Sequence, residues 1–163
     1  PLYDQAYPEP SANLKEVQFN QWGIKFSIPD NYVIRKDQEA QNFMVISEGL
    51  DAYLDCGEQL EEEGYFVPGH GIGGISISEL ELSSHSSNLE TVIQEHWEGG
   101  KIIQSFSTHS LTVHLVKNAG MFNAVLKVPD QSKAIVFQTV CDCGPFSYEE
   151  TELEEIISTL KPM

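Results

Sequence analysis

Apolar and polar residues alternate without a break over residues 23–29, which places Ile24, Phe26 and Ile28 on one face of a strand and predicts that this face is buried. Pro29, Asp30 and Asn31 then supply turn chemistry. Residues 32–35, 43–47 and 52–55 follow as short strand-like segments joined as antiparallel hairpins. Between 75 and 82 the phase slips. Ile75 and Ile77 share one parity, Leu80 and Leu82 the other, so a bulge or kink is expected near Ser78.

A helical period then takes over. Ser87 and Glu90 have capping-box spacing, and Leu89, Val92, Ile93, His96 and Trp97 recur on one stripe. Gly99 and Gly100 tolerate the positive φ at which a helix stops. Residues 111–117, 121–128 and 134–141 read as three strands, and their short connections, Asn118-Ala119-Gly120 and Pro129-Asp130-Gln131, force an antiparallel meander. A last helix is expected from Ser147, with Leu153, Ile156, Ile157 and Leu160 on one stripe and Pro162 as its stop. Strands, helix, three strands, helix is the order of an α+β domain in which two principal amphipathic helices cover a mainly antiparallel sheet. No fixed period recurs along the chain, so repeat architectures are excluded.

The 163 residues suit one domain, read here as 17–163, preceded by a Pro-bearing polar tether over 1–16. That lead, opening without Met, predicts that an export leader has been removed and that the domain works outside the cytoplasm, periplasmic, secreted or lumenal; the alternative is a trimmed chain and a cytoplasmic protein. The sequence carries 25 Asp and Glu against nine Lys and Arg, a formal charge of −16, which repels the phosphate backbone and makes nucleic acid a poor partner. No apolar run approaches the roughly 20 residues of a bilayer-spanning helix, so no transmembrane segment is expected.

Candidate chemistry is sparse. Gly69-His70-Gly71-Ile72-Gly73-Gly74 has the lettering of a phosphate-binding loop, but a strand pattern follows it where that chemistry needs a helix N-terminus, so a hairpin loop is expected. Asp51, Asp55, Gln59 and Glu62 fall at calcium-loop spacing, yet Tyr53 and Cys56 occupy positions that demand an oxygen ligand and a glycine. What survives is a simpler divalent-cation site on an acidic loop over 51–63, using Asp51, Asp55, Glu58 and Glu62. Cys56, Cys141 and Cys143 lack zinc-motif spacing, and in an oxidising compartment Cys56 would pair with Cys141 or Cys143. His109 and His114, five apart in strand-like sequence, face opposite ways, and His96 lies beside Trp97. No motif for a nucleophile elbow, a zinc protease or a P-loop is present, so the expectation is a domain that is not an enzyme.

Three stretches carry a family resemblance: 19–32, with Gly23, Phe26, Pro29 and Tyr32; the helix from Leu89 to Trp97; and the close at 154–161, with Ser158 and Lys161. Together they resemble the PsbP-like and Mog1-like superfamily, over roughly 17–162. The resemblance implies an α/β/α sandwich around a central antiparallel sheet. It also implies partner-binding roles: extrinsic photosystem subunits, GTPase-binding factors, secretion chaperones and exported lipoproteins. It carries no catalytic residue onto this chain, and the acidic, then glycine-rich insertion at 51–74 departs from a minimal member. The resulting expectation is an extracytoplasmic accessory or adaptor domain that offers loops and sheet edges to a protein partner. A divalent-cation module built on 51–63 and an enzyme without a recognisable motif are the alternatives.

Overall fold

Ile24, Phe26 and Ile28 are fully buried, as their alternation requires, and they anchor a short strand to the main body of the molecule. The computed structural model describes residues 8–37, 41–64, 74–82, 88–98, 100–139 and 149–163. Its elements in chain order are β1 (Leu14–Phe19), β2 (Ile24–Pro29), β3 (Tyr32–Asp37), β4 (Asn42–Ser47), α1 (Glu48–Glu62), β5 (Ile75–Glu81) and α2 (Leu89–His96). They continue with β6 (Lys101–Thr108), β7 (Leu111–Asn118), β8 (Met121–Lys127), β9 (Lys133–Thr139), α3 (Glu149–Ser158) and β10 (Lys161–Pro162).

Two sheets form, a three-stranded one ordered β1-β2-β10 and a seven-stranded one ordered β3-β4-β5-β9-β8-β7-β6. Every ladder is antiparallel. The expected meander is β7-β8-β9, and Ala119 at φ 51° with Gly120 at φ 79° turns its first hairpin in the left-handed geometry that matches strand twist.

Strand parity sorts the layers. Ile135 and Phe137 of β9, with Val45, Ile75, Ile77, Val113 and Leu126, face a core closed by β2 and by Leu153, Ile156, Ile157 and Leu160 in and just after α3. Ala134 and Val136 point the other way, onto Ile93 and Trp97 of α2. Ile46, next to Val45, likewise turns away and packs on Leu50 of α1. The large sheet therefore has α3 and the small sheet on one face and α1 and α2 on the other. This is the expected α+β class and α/β/α sandwich.

Several details differ from the sequence reading. Residues 52–55 are not strand and 51–63 is not a loop: 48–62 forms the 15-residue helix α1, a third helix. Ser47 caps it, its hydroxyl accepting from the Leu50 amide at 3.1 Å, and Glu48 and Asp51 in the first turn suit the positive end of the helix dipole. Three strands escaped notice: β6, the two-residue β10, and β1, which begins at Leu14 within the stretch read as tether and pairs with β2 along all six residues. The β5 ladder runs unbroken through Ser78 opposite Val136, so nothing bulges there. The phase slip instead marks a change of covering layer, since Ile75 and Ile77 meet the α3 side while Leu80 and Leu82 lie under α2.

Asn88 caps α2, its side chain accepting from the Glu90 amide at 3.0 Å, whereas Ser87 lies outside the described residues, as do Gly99 and Ser147. Gly100 donates to the Trp97 carbonyl at 2.7 Å, and a Cβ at Gly100 would sit 2.7 Å from that of Trp97, so the turn needs a glycine. Pro162 is not the helix stop, because α3 ends at Ser158 and Pro162 instead pairs with Ile24 in β10. No helix among the described residues is long and apolar enough to cross a membrane.

Candidate functional site

Asp51, Asp55 and Glu58 stand at i, i+4 and i+7 of α1, so they share one helix face, with Glu62 one turn on. Like charges so placed repel. Across from them, β3 alternates, sending Ile34 into the main core while Val33 turns to the α1 side, and with Val33 goes Arg35. Arg35 Nη1 donates to Asp51 Oδ1 at 2.9 Å and to Asp55 Oδ1 at 2.6 Å, and Nη2 donates to Glu58 Oε1 at 2.7 Å. The Arg35 side chain is only 17% exposed, against 65% for Asp55 and 68% for Glu58, so one recessed guanidinium is ringed by carboxylates at the rim. Burial opposes its charge, but the hydrogen bonds it donates to Asp55, Asp51 and Glu58 outweigh that and hold its pKa above the ordinary arginine value. Arg35 is permanently charged in this site.

The pairing leaves an open groove of about 920 Å³ between α1 and β3. Its apolar lining is Ile34, Met44, Ile46 and Leu54, and its polar lining combines Arg35, Lys36 and Asp37 with Asp51, Asp55, Glu58, Glu61 and Glu62. Six carboxylates thus face two basic groups. β3 is the end strand of the seven-stranded order, with β4 as its ladder partner there.

The candidate site residues therefore divide. Asp51, Asp55 and Glu58 come together on Arg35, and Glu62 lines the same groove. Among the described residues no group of three or more His, Cys, Asp or Glu is placed to hold a metal ion. Cys56 is exposed on α1, while Cys141 and Cys143, its expected partners, lie outside the described residues, as does most of the glycine-rich segment at 69–74. His109 and His114 are apart: His109 Nδ1 lies 3.1 Å from the Leu160 carbonyl, and the buried His114 lies 2.6 Å from Ser105 Oγ across the β6–β7 ladder. His96 stacks edge-on against Trp97 at 4.4 Å between ring centres. The residue that sequence reasoning missed is Arg35. Its signal was available, for it is the sole arginine in the sequence and stands 16 positions before Asp51.

A second polar cluster sits between the layers. Trp22 Nε1 donates to Glu79 Oε1 at 2.6 Å, and Lys133 Nζ approaches Glu79 Oε2 at 3.3 Å. The indole hydrogen bond first, and Lys133 second, hold the Glu79 carboxyl below the usual carboxylate range. Tyr32 donates to the buried Glu152 at 2.5 Å, tying β3 to α3.

No family model matches the chain, and no curated protein matches it. Solved structures do. Cyanobacterial PsbP (CyanoP) from Synechocystis sp. PCC 6803 superposes with a TM-score of 0.50 at 9% identity, over 93% of this chain and 94% of that one. The Ran-binding protein Mog1p of Saccharomyces cerevisiae gives 0.48 at 12% identity, over 92% and 95%. A protein from Bacteroides thetaiotaomicron gives 0.45 at 12% identity, over 91% of this chain and 48% of that one. At such identities the likeness is one of fold.

Proposed function

From its PsbP-like and Mog1-like fold, we propose that this chain is a non-enzymatic accessory or adaptor domain that binds a protein partner, with the groove between α1 and β3 as its docking surface. The observation that carries this reading is the Arg35 cluster. Three hydrogen bonds from one recessed guanidinium fix an end strand to a helix, so the groove between them is held open in one geometry before anything binds. An apolar floor inside a charged rim is the anatomy of a protein interface. Placement outside the cytoplasm belongs to the same reading, as the expectation drawn from the sequence.

Crosslinking of the full chain in extract from its native source, read by mass spectrometry, tests the function. A partner crosslinked through Lys36, which lines the groove, is expected. Partners joined only through Lys101, Lys117 or Lys127, together with hydrolase or transferase turnover by the pure protein, would contradict it. A second reading, a divalent-cation module on Asp51, Asp55, Glu58 and Glu62, is favoured by their shared helix face, although Arg35 takes an oxygen from three of them. Calorimetric titration with calcium supports that module only if heat appears and is lost in D51N.

A further inference from the structure

We infer that the groove receives a basic segment of the protein partner, one that sets a large apolar side chain on the groove floor and places Lys or Arg against the last turns of α1. This occupant presupposes the protein-binding function proposed above and specifies its chemistry. The floor belongs to the sheet face beneath α1, where Met44 and Ile46 of β4 lie with Leu54 of the helix. Met44 and Leu54 are only partly buried, so the floor keeps apolar surface that an anchoring side chain can cover. Along α1 the lining residues are Asp51, Leu54, Asp55, Glu58, Glu61 and Glu62, whose helical spacing keeps them to one side. At about 1.5 Å per residue they span roughly 16 Å, so contact with the partner runs along the helix.

Charge selects the occupant, and the selecting charges are unfavourable in the chain alone. Glu58 stands three and four positions before Glu61 and Glu62, a spacing at which like charges on a helix repel. Glu61, Glu62 and the cap residue Glu63 also crowd the negative end of the helix dipole, and the last turn holds no basic residue to answer them. Arg35 reaches Asp51, Asp55 and Glu58, and among the described residues no salt bridge engages Glu61 or Glu62. A helix end that opposes its own dipole gains stability from a cation bound against it. Other occupants answer less of this. A second copy of the chain, also at −16, is repelled. A metal ion has no use for the apolar floor, and a neutral apolar segment leaves Glu61 and Glu62 unanswered. A basic segment with an apolar anchor meets both, the charges choosing the partner and the anchor holding it.

Three labelled octapeptides test this by fluorescence anisotropy with the full chain: Arg-Arg-Leu-Leu repeated twice, Arg-Arg-Ser-Ser repeated twice, and Glu-Glu-Leu-Leu repeated twice. The first is expected to bind, to weaken as salt is added, and to shift amides of α1 and of residues 44–46 in ¹⁵N–¹H NMR spectra. The serine peptide should bind several-fold more weakly, and the glutamate peptide should not bind. In the E61Q and E62Q double variant, binding of the first peptide should fall several-fold and lose part of its salt dependence. The urea midpoint of that variant without peptide should hold or rise, because repulsion at the helix end is relieved. Equal binding of the serine peptide, undiminished binding or a lower urea midpoint in the double variant, shifts confined to other elements, or no binding overturns the inference. Capture of the same crosslinked partner by the double variant at undiminished yield also overturns it, while leaving the accessory function standing.

Discussion

Arg35 shows how much one side chain can organise in an acidic protein. It joins β3 to α1, and it does so against the repulsion of Asp51, Asp55 and Glu58 on a single helix face. Because two of those partners are about two-thirds exposed, water and salt screen the network, and its worth is modest. Arg35→Ala should lower stability by roughly 1–2 kcal/mol in low salt, and by less at high ionic strength. Urea denaturation at two salt concentrations checks this, and a loss independent of salt would point to packing of the arginine stem. Glu79 behaves differently. Its folded-state pKa is depressed, so it contributes stability above the ordinary carboxylate value of 4.5, and that contribution is lost as pH falls through the folded-state value. The stability gap between wild type and Glu79→Gln should therefore be widest above about pH 5 and close on acidification. A gap unchanged between pH 6 and pH 3 would sink the assignment.

Among the elements, legibility followed burial. β2 and the β7–β9 meander were readable because each has a face with one uniform environment, and α2 because Val92, Ile93 and Trp97 repeat at helical spacing under one layer. α1 was not, since its apolar stripe among the described side chains is Leu50, Tyr53 and Leu54, with glycines at 49 and 57 among acids whose helical spacing looks like a loop until Arg35 is placed opposite them. β6 was missed because an end strand with a register shift has no clean alternation to show, and exposed Gln104, Ser105 and Ser107 resemble loop sequence. The candidate site was half legible: the four carboxylates could be picked out, but their partner lies in another element, and only the fold brings it across. The start of α1 offers a direct check. Ser47→Ala removes the hydroxyl that accepts from the Leu50 amide and should cost about 1 kcal/mol, read as a shift in the urea midpoint without a change in slope. No measurable loss would mean that the packing of Leu50 on Ile46 holds the first turn unaided.

At the scale of the whole molecule, the seven-stranded sheet is covered by α3 and the small sheet on one face and by α1 and α2 on the other. One end carries a bulge; the other carries a straight strand roofed by an acidic helix. At 9% identity the likeness to the PsbP structure is one of fold, so the docking surface is argued from the charge and shape of the groove between α1 and β3. Hydrogen–deuterium exchange of the full chain with and without the partner captured by crosslinking tests the groove as docking surface most directly. Slowed exchange in α1 and in residues 34–37 is the predicted result. Slowing in β6 with β3 unchanged would contradict it.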